Sequence, residues 1–392
     1  MYTLRIQIDV SNKQLPACTR LIWNNDIERC CYINGKEEIK MKKVFACMMT
    51  IAMIAAMLTG CGSTQSNSGD TTPPADTPPA EGSGFDQEYT WDLSTTYATG
   101  TPIVDGLYHF AELLNEYSDG TITLNVFPDG TLYNEADAIM AVKSGELDFT
   151  DSGTIAITTH LPQYGFISAP FMVTTYDQIM TLWDSDLLQE AKTELEENYN
   201  TRNVGGLAYR GFRNMSSNVA VSNVDDIQGV LMRMNTNVVM NSVFNAIGAV
   251  CVPLSLNELY TSLQTGAVQS SEGPWEQMVS YNLYEVQDYI METKHIVEAS
   301  CIWMSNSLYE SLPENYQEVV DRAAKEINDE IEKNCMAAEE AYKQTMIDNG
   351  CEVVECDISG FITKSESAWD QLFQDTWTGF TLDQVREAAG IQ

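Results

Sequence analysis

Two arginines occupy surroundings where a stray charge is costly. Arg213 lies in Tyr-Arg-Gly-Phe-Arg-Asn (209–214), and Arg233 lies twenty residues on in Leu-Met-Arg-Met (231–234), between long apolar side chains. A guanidinium stays charged at any biological pH and presents a planar fork of donors that matches a carboxylate; burying it without a partner is expensive. Two in one segment point to an anion site. The alternative for each is a surface position on a strand, or a structural ion pair. Arg210 would face the opposite way from Arg213 along a strand and reads as a surface or hinge ion pair. Asn214, Asn235 and Asn237 are potential donors, although asparagine is common in loops and after strands.

Other chemistries find little support. His109, His160 and His295 are the only histidines, far apart and without metal-ligand spacing, so no metal site is expected. There is no Gly-x-Ser-x-Gly elbow and no Cys/His pair in context. Glu272 and Glu276 are four apart, which is thin support for paired acid–base carboxylates. The chain reads as a non-enzyme with no catalytic residues and no cofactor. Its 56 acidic against 21 basic residues give a formal charge of −35, which repels nucleic acid and anionic membrane surfaces. Such a charge fits solubility outside the cell.

Upstream, residues 41–61 run Met-Lys-Lys, an apolar stretch from Val44 to Leu58, then Leu-Thr-Gly-Cys. A basic start, a short apolar run and a small-residue cleavage site ending in cysteine resemble a bacterial lipoprotein signal. Residues 41–60 are then the signal peptide, and Cys61 is the lipidated first residue that holds the protein to the cell membrane from the extracytoplasmic side. Residues 1–40 read as a mis-called extension before the true start at Met41. Residues 61–85 are rich in Ser, Thr, Pro and Gly and read as a disordered tether. Beyond residue 60 the chain holds 13 basic and 51 acidic residues, a charge of −38. Five of the ten cysteines lie in or before the signal; Cys251, Cys301, Cys335, Cys351 and Cys356 remain, an odd number. Cys351 and Cys356 read as separate thiols.

The elements that must position the arginines follow from periodicity. Tyr89–Ser94 and Ile122–Val126 alternate as strands, with helices at about 104–114 and 134–144 and a strand at Leu147–Thr150. After a helix at Asp177–Asn198, strands are expected at Val204–Tyr209, Gln228–Met234, Val250–Pro253 and Ala267–Ser270, separated by helices at 236–247 and Leu256–Gln264. Two runs of βα units imply parallel sheets and two domains. From Pro313 to about Asn349 an apolar stripe continues without a breaker, roughly 55 Å of helix at 1.5 Å per residue. A strand at Cys351–Glu355 and helices near 362–375 and 382–389 close the chain.

The motifs 211–218 (Gly-Phe-Arg-Asn-Met-Ser-Ser-Asn), 225–234 (Asp-Asp-Ile-Gln-Gly-Val-Leu-Met-Arg-Met), 247–268, Glu-Gly-Pro (272–274) and Tyr-Glu-Val-Gln (284–287) together resemble the solute-binding proteins of tripartite ATP-independent periplasmic (TRAP) transporters, DctP type. So do Val-Phe-Pro-Asp-Gly-Thr-Leu (126–132) and Ser-Gly-Glu-Leu-Asp-Phe-Thr (144–150). The resemblance implies an α/β, two-lobed periplasmic-binding-protein-like fold with hinge strands and a long helix spanning both lobes. Lobe I is expected at 86–210 plus 299–338, and lobe II at 211–298 plus 339–392. It implies capture of a small organic acid between the lobes and its delivery to TRAP permease subunits, by a monomer or a dimer. The alternatives are a ligand-binding subunit for a sensor or another transporter class, or a secreted enzyme using the same cleft. Arg233 stands at the family's carboxylate-binding arginine, and Arg213 at its companion. Where the family often has Gln-Glu-Asn-Pro, this chain has Ser271-Glu272-Gly273-Pro274, so Gly273 offers only backbone. Leu256 replaces an aromatic, and Gly153 stands where some members place an acid. Trp275 reads as a pocket wall or as an interior side chain, Glu272 as a group that orients Arg233 or sits at the hinge. Phe171, with Phe166 and Tyr97, is expected to border the cleft, in core or ligand contact. These departures argue for one dominant carboxylate with a small or apolar remainder, and against a hydroxyl-rich, sialic-acid-like ligand.

Overall fold

The computed structural model describes residues 84–391. The signal segment, Cys61 and nearly all of the tether lie outside the described residues. Nine strands form one continuous sheet: β1 (Tyr89–Thr95), β2 (Ile122–Phe127), β3 (Phe149–Asp151), β4 (Thr201–Ser217), β5 (Leu231–Met234), β6 (Val250–Pro253), β7 (Ser270–Gly273), β8 (Tyr289–Ser305) and β9 (Glu352–Val354). Their order is β2-β1-β3-β8-β4-β7-β5-β6, with β9 paired to β8. The parallel pairs expected from the βα rhythm are present, β1 with β2 and β3, and β5 with β6 and β7. The sheet as a whole is mixed, because β4 runs antiparallel to β8 and β7, and β3 antiparallel to β8.

β4 and β8 are 17 residues each, long enough to pass through both lobes. Thr201–Val204 pairs with Ile302–Ser305 in the first lobe, and Arg213–Ser217 pairs with β8 residues between Tyr289 and Ile296 in the second. These two are the hinge strands. The sequence reading saw only the middle of β4 and missed β8, because Glu292, Lys294, His295 and Glu298 interrupt its apolar pattern.

The single long helix expected at 177–198 is two, Tyr176–Trp183 and Asp186–Tyr199. Ser185 restarts the chain as an N-cap whose side chain accepts from the Leu188 backbone N–H. The spanning helix is as expected, 35 residues from Glu314 to Asp348. Its Val320, Ala323, Ile327 and Ile331 join the first-lobe core with Leu93 and Phe110. At its other end Met346 packs with Leu259, Met278 and Ile290 in the second lobe. Each fully buried aliphatic side chain contributes about 1.5–3 kcal/mol, so one rigid element is fastened to both cores. The helices between Ile155 and Tyr199 share a buried cluster with the helix Val238–Ile247 and with the C-terminal helices. All five cysteines of the described residues are free.

Candidate functional site

A cleft of about 570 Å³, counting its open part, lies where the lobes meet the hinge. The first lobe contributes Tyr97, Glu135, Ser152 and Thr154, the hinge strands Arg210, Arg213 and Glu298, and the second lobe Arg233, Leu256 and Gln277.

Three guanidiniums line this one cavity, where strand alternation predicts that Arg210 and Arg213 diverge. A bulge resolves the difference. Tyr209 pairs with Ala299 and Gly211 with Glu298, so β4 spends one extra residue against its partner, which re-aims the side chains on either side. Gly211 has φ +123°, a conformation an L side chain adopts poorly.

Each arginine has a different electrostatic situation. Arg210 is held by Glu276, with Nη2 and Nε donating to Oε2 at 2.8 and 3.1 Å, and its guanidinium lies 4.0 Å from the Tyr97 ring centre. Arg213 is held by two carboxylates: Nη2 donates to Glu272 Oε1 at 2.6 Å, Nε to Oε2 of the same group, and Nη1 to Glu298 Oε2. Burial alone would lower both guanidinium pKa values; the neighbouring carboxylates overcome it and raise them. Arg233 is 2 % exposed, and its Nε and Nη2 donate only to the Leu254 carbonyl oxygen, at 3.1 and 2.8 Å. Among the described residues it has no carboxylate partner. Burial without a counter-charge pulls its pKa down to about 10, with Glu272 partly offsetting and Arg213 adding repulsion. A guanidinium in this state gains strongly from an incoming carboxylate.

The expected site residues fall into three places. Arg213, Arg233 and Leu256 line the cleft. Glu272 lies beneath it, on Arg213 and 3.3 Å from His295 Nε2; burial pushes its carboxyl up, but Arg213 and His295 hold it well below the usual range. His295 is lowered by burial, against the pull of Glu272. Gly273 adjoins the cleft, and a Cβ there would meet Gln277 Nε2 at 2.3 Å. Gln277, one helical turn later, lines the cleft and donates its side-chain amide to the Glu272 carbonyl at 3.2 Å. Gly153 has φ +57°, and a Cβ there would stand 2.7 Å from the Ala299 carbonyl oxygen and 3.4 Å from Glu298 Oε1. A side chain at 153 would be strained and crowded, and the carboxylate next to that position is that of Glu298. Trp275 sits in the second-lobe core and borders a separate, smaller cavity with Arg210, Cys335 and Tyr342. Phe171 packs against His295 and Phe361, behind the lining. Cys61 lies outside the described residues.

Sequence reasoning missed Arg210 as a lining group, Gln277, Glu135 and Glu298. Gln277 left one signal, an amide four residues after a glycine that replaces one. The wall is more polar than expected: Ser152, Thr154, Asn235 and Asn237 join these residues. Ser152 Oγ is buried and has no hydrogen-bond partner, so it is available to a bound molecule. Burial and the negative Glu298 push the Glu135 carboxyl up to about 7, against the three arginines.

Residues 93–376 match the family model described as bacterial extracellular solute-binding protein, family 7. An uncharacterized protein of Haemophilus influenzae is 33% identical over 220 residues, 55% of this chain and 66% of that protein, just under two thirds of its length. A solute-binding protein of Chromohalobacter salexigens is 25% identical over 338 residues, covering 86% of this chain and 94% of that one. Among solved structures, the sugar acid binding protein DctPAm of Advenella mimigardefordensis in complex with galactonate superposes with a TM-score of 0.73 at 23% identity, over 78% of this chain and 98% of that one.

Proposed function

The chain belongs to the bacterial extracellular solute-binding protein family 7, the DctP-type proteins of TRAP transporters, and from that premise we propose that it is a lipid-anchored receptor that captures a small polar monocarboxylate between its lobes and hands it to a TRAP permease. The family serves solute binding rather than catalysis, which sets aside the secreted-enzyme alternative. The observation that carries this proposal is Arg233: a buried guanidinium in the cleft whose only acceptor among the described residues is a backbone carbonyl.

The ligand carboxylate takes the place of the missing counter-charge at Arg233, in a cleft that Glu272 and Arg213 keep rigid from below. Gln277, Ser152 and the asparagines bond the polar remainder. Closing the lobes removes water and offers contacts from both sides at once, so the ligand favours the closed state by its differential affinity for it. The polar lining favours an acid with a polar remainder over the apolar remainder expected from sequence. The galactonate bound by the Advenella protein is a ligand of that kind.

Isothermal titration with a panel of small hydroxy and amino acids tests the proposal. Binding by the parent and at least a hundredfold loss in Arg233→Ala are expected; no heat from any member, or an unchanged response in the variant, overturns it. The anchor is tested separately, since Cys61→Ser should shift the protein from the membrane fraction to the medium.

A further inference from the structure

Glu135 is the cleft residue to which a simple carboxylate receptor gives no task. It is the first residue of the helix Glu135–Ser144, it lines the cleft with Glu298, and among the described residues it has neither a hydrogen-bond nor an ion-pair partner. Glu298 commits only Oε2, to Arg213. Its Oε1 points toward Gly153, where a side chain would be strained and crowded. The lining that holds Arg233 thus also carries two carboxylates with acceptor capacity to spare, and the unpartnered hydroxyl of Ser152.

The charges decide what can fill this space. Around the cleft, Arg210, Arg213 and Arg233 face Glu276, Glu272, Glu298 and Glu135. With Glu135 ionised the site is already one charge negative. A monocarboxylate seated on Arg233 would leave it more negative, and a dicarboxylate more so again, in a space where like charges repel strongly.

We infer that the ligand is a zwitterion: its carboxylate pairs with Arg233, and a cationic amino group lies between Glu135 and Oε1 of Glu298, with Ser152 Oγ as a third acceptor. Such a molecule adds no net charge and gives Glu135, Glu298 Oε1 and Ser152 Oγ a common donor. Glu135 is then the specificity-determining residue, selecting amino acids or amino sugar acids over plain hydroxy acids and dicarboxylates. The inference rests on Arg233 being the carboxylate clamp.

The pH dependence has opposite signs for the two ligand classes. The charged groups that face Glu135 are Glu298, Arg233, Arg213 and Arg210, and the Tyr97 phenol is close enough to feel its charge. With its carboxyl pushed up to about 7, Glu135 gains charge as the pH rises through neutrality. An ammonium-bearing ligand binds more tightly with that rise, and a hydroxy acid more weakly.

The test is titration calorimetry on the full chain with matched pairs of equal spacer length: glycolate and glycine, 3-hydroxypropanoate and β-alanine, 4-hydroxybutyrate and γ-aminobutyrate, gluconate and glucosaminate, with succinate as the dianion. In at least one pair the amino member should bind ten or more times more tightly. Its affinity should rise from about pH 6 to about pH 8, as Glu135, pushed up to about 7, ionises. Glu135→Gln should weaken that member at least tenfold and strengthen its hydroxy partner. Hydroxy members that equal or exceed the amino members in every pair overturn the inference while leaving the carboxylate receptor standing, provided that Arg233→Ala abolishes their binding. Equal weakening of both members by Glu135→Gln overturns it as well. Binding by no member, with Tm also unmoved, overturns the receptor proposal and this inference together.

Discussion

Arg213 and Arg233 differ in what each would leave behind if it were removed. Without Arg213, Glu272 would stay buried with its direct ion pair gone and only His295 in hydrogen-bond reach, and stripping one member from a buried pair costs about 3–5 kcal/mol. Without Arg233, no carboxylate is orphaned; the losses are two hydrogen bonds to the Leu254 carbonyl, and repulsion from Arg213 disappears. Arg213→Met should therefore lower the ligand-free Tm by about 5–8 °C for a protein of this size, whereas Arg233→Met should hold it or raise it while abolishing binding. Equal destabilisation by the two variants would show that Arg233 is a structural charge and not a ligand clamp. The flanking Leu-Met and Met made Arg233 conspicuous in the sequence, as an ion with no local reason to be there. Glu135 gave no such sign, because an acid in the first turn of a helix is ordinary, and only the cleft shows that this one has no partner.

Gly211 shows why the arginine cluster was only partly legible. Alternation along an ideal strand sends residues 210 and 213 to opposite faces, and that rule separated Arg210 from the site. One extra residue in β4 opposite Ala299 and Glu298 cancels it, and a bulge has no signature in a single sequence beyond the glycine itself. Gly211→Ala forces an L residue into φ +123° at a cost of about 1–3 kcal/mol, or else irons out the bulge and turns Arg210 away from Glu276. Either outcome lowers Tm. Weaker ligand binding is expected too, and a variant with parent stability and parent affinity would show that the bulge positions nothing. β8 was missed for a related reason. A hinge strand is covered on both sides and carries site charges, so it shows neither the alternation of a half-buried strand nor the apolar run of a core strand. The spanning helix was legible from end to end, since its burial is one-sided and its stripe repeats for 35 residues.

The lobes of this molecule touch beyond the cleft: Tyr281, after the second-lobe helix Trp275–Ser280, donates from Oη to the Thr96 carbonyl at 2.9 Å at the end of β1. That bond exists only while the lobes are together, so it biases the equilibrium toward closure. Tyr281→Phe should weaken ligand binding about fivefold, the worth of one hydrogen bond of roughly 1 kcal/mol, chiefly through faster dissociation. Scattering from the ligand-free variant should give a larger radius of gyration than the parent; an unchanged radius and dissociation rate would remove Tyr281 from the closing contact. The ligand must also reach the cleft through the field of a chain whose part beyond residue 60 carries a formal charge of −38. For an anion that field opposes approach, and salt screens it over about 8 Å at physiological ionic strength, so the association rate of a hydroxy acid should rise as salt is raised from about 0.02 M to about 0.5 M. A zwitterion feels no net force at long range, and its rate should stay level over the same interval. Stopped-flow measurement of one matched pair separates the cases. A rate that falls with salt for either ligand would mean that the arginines project a positive potential past the cleft mouth, contrary to the charge balance drawn from Glu135, Glu272, Glu276 and Glu298.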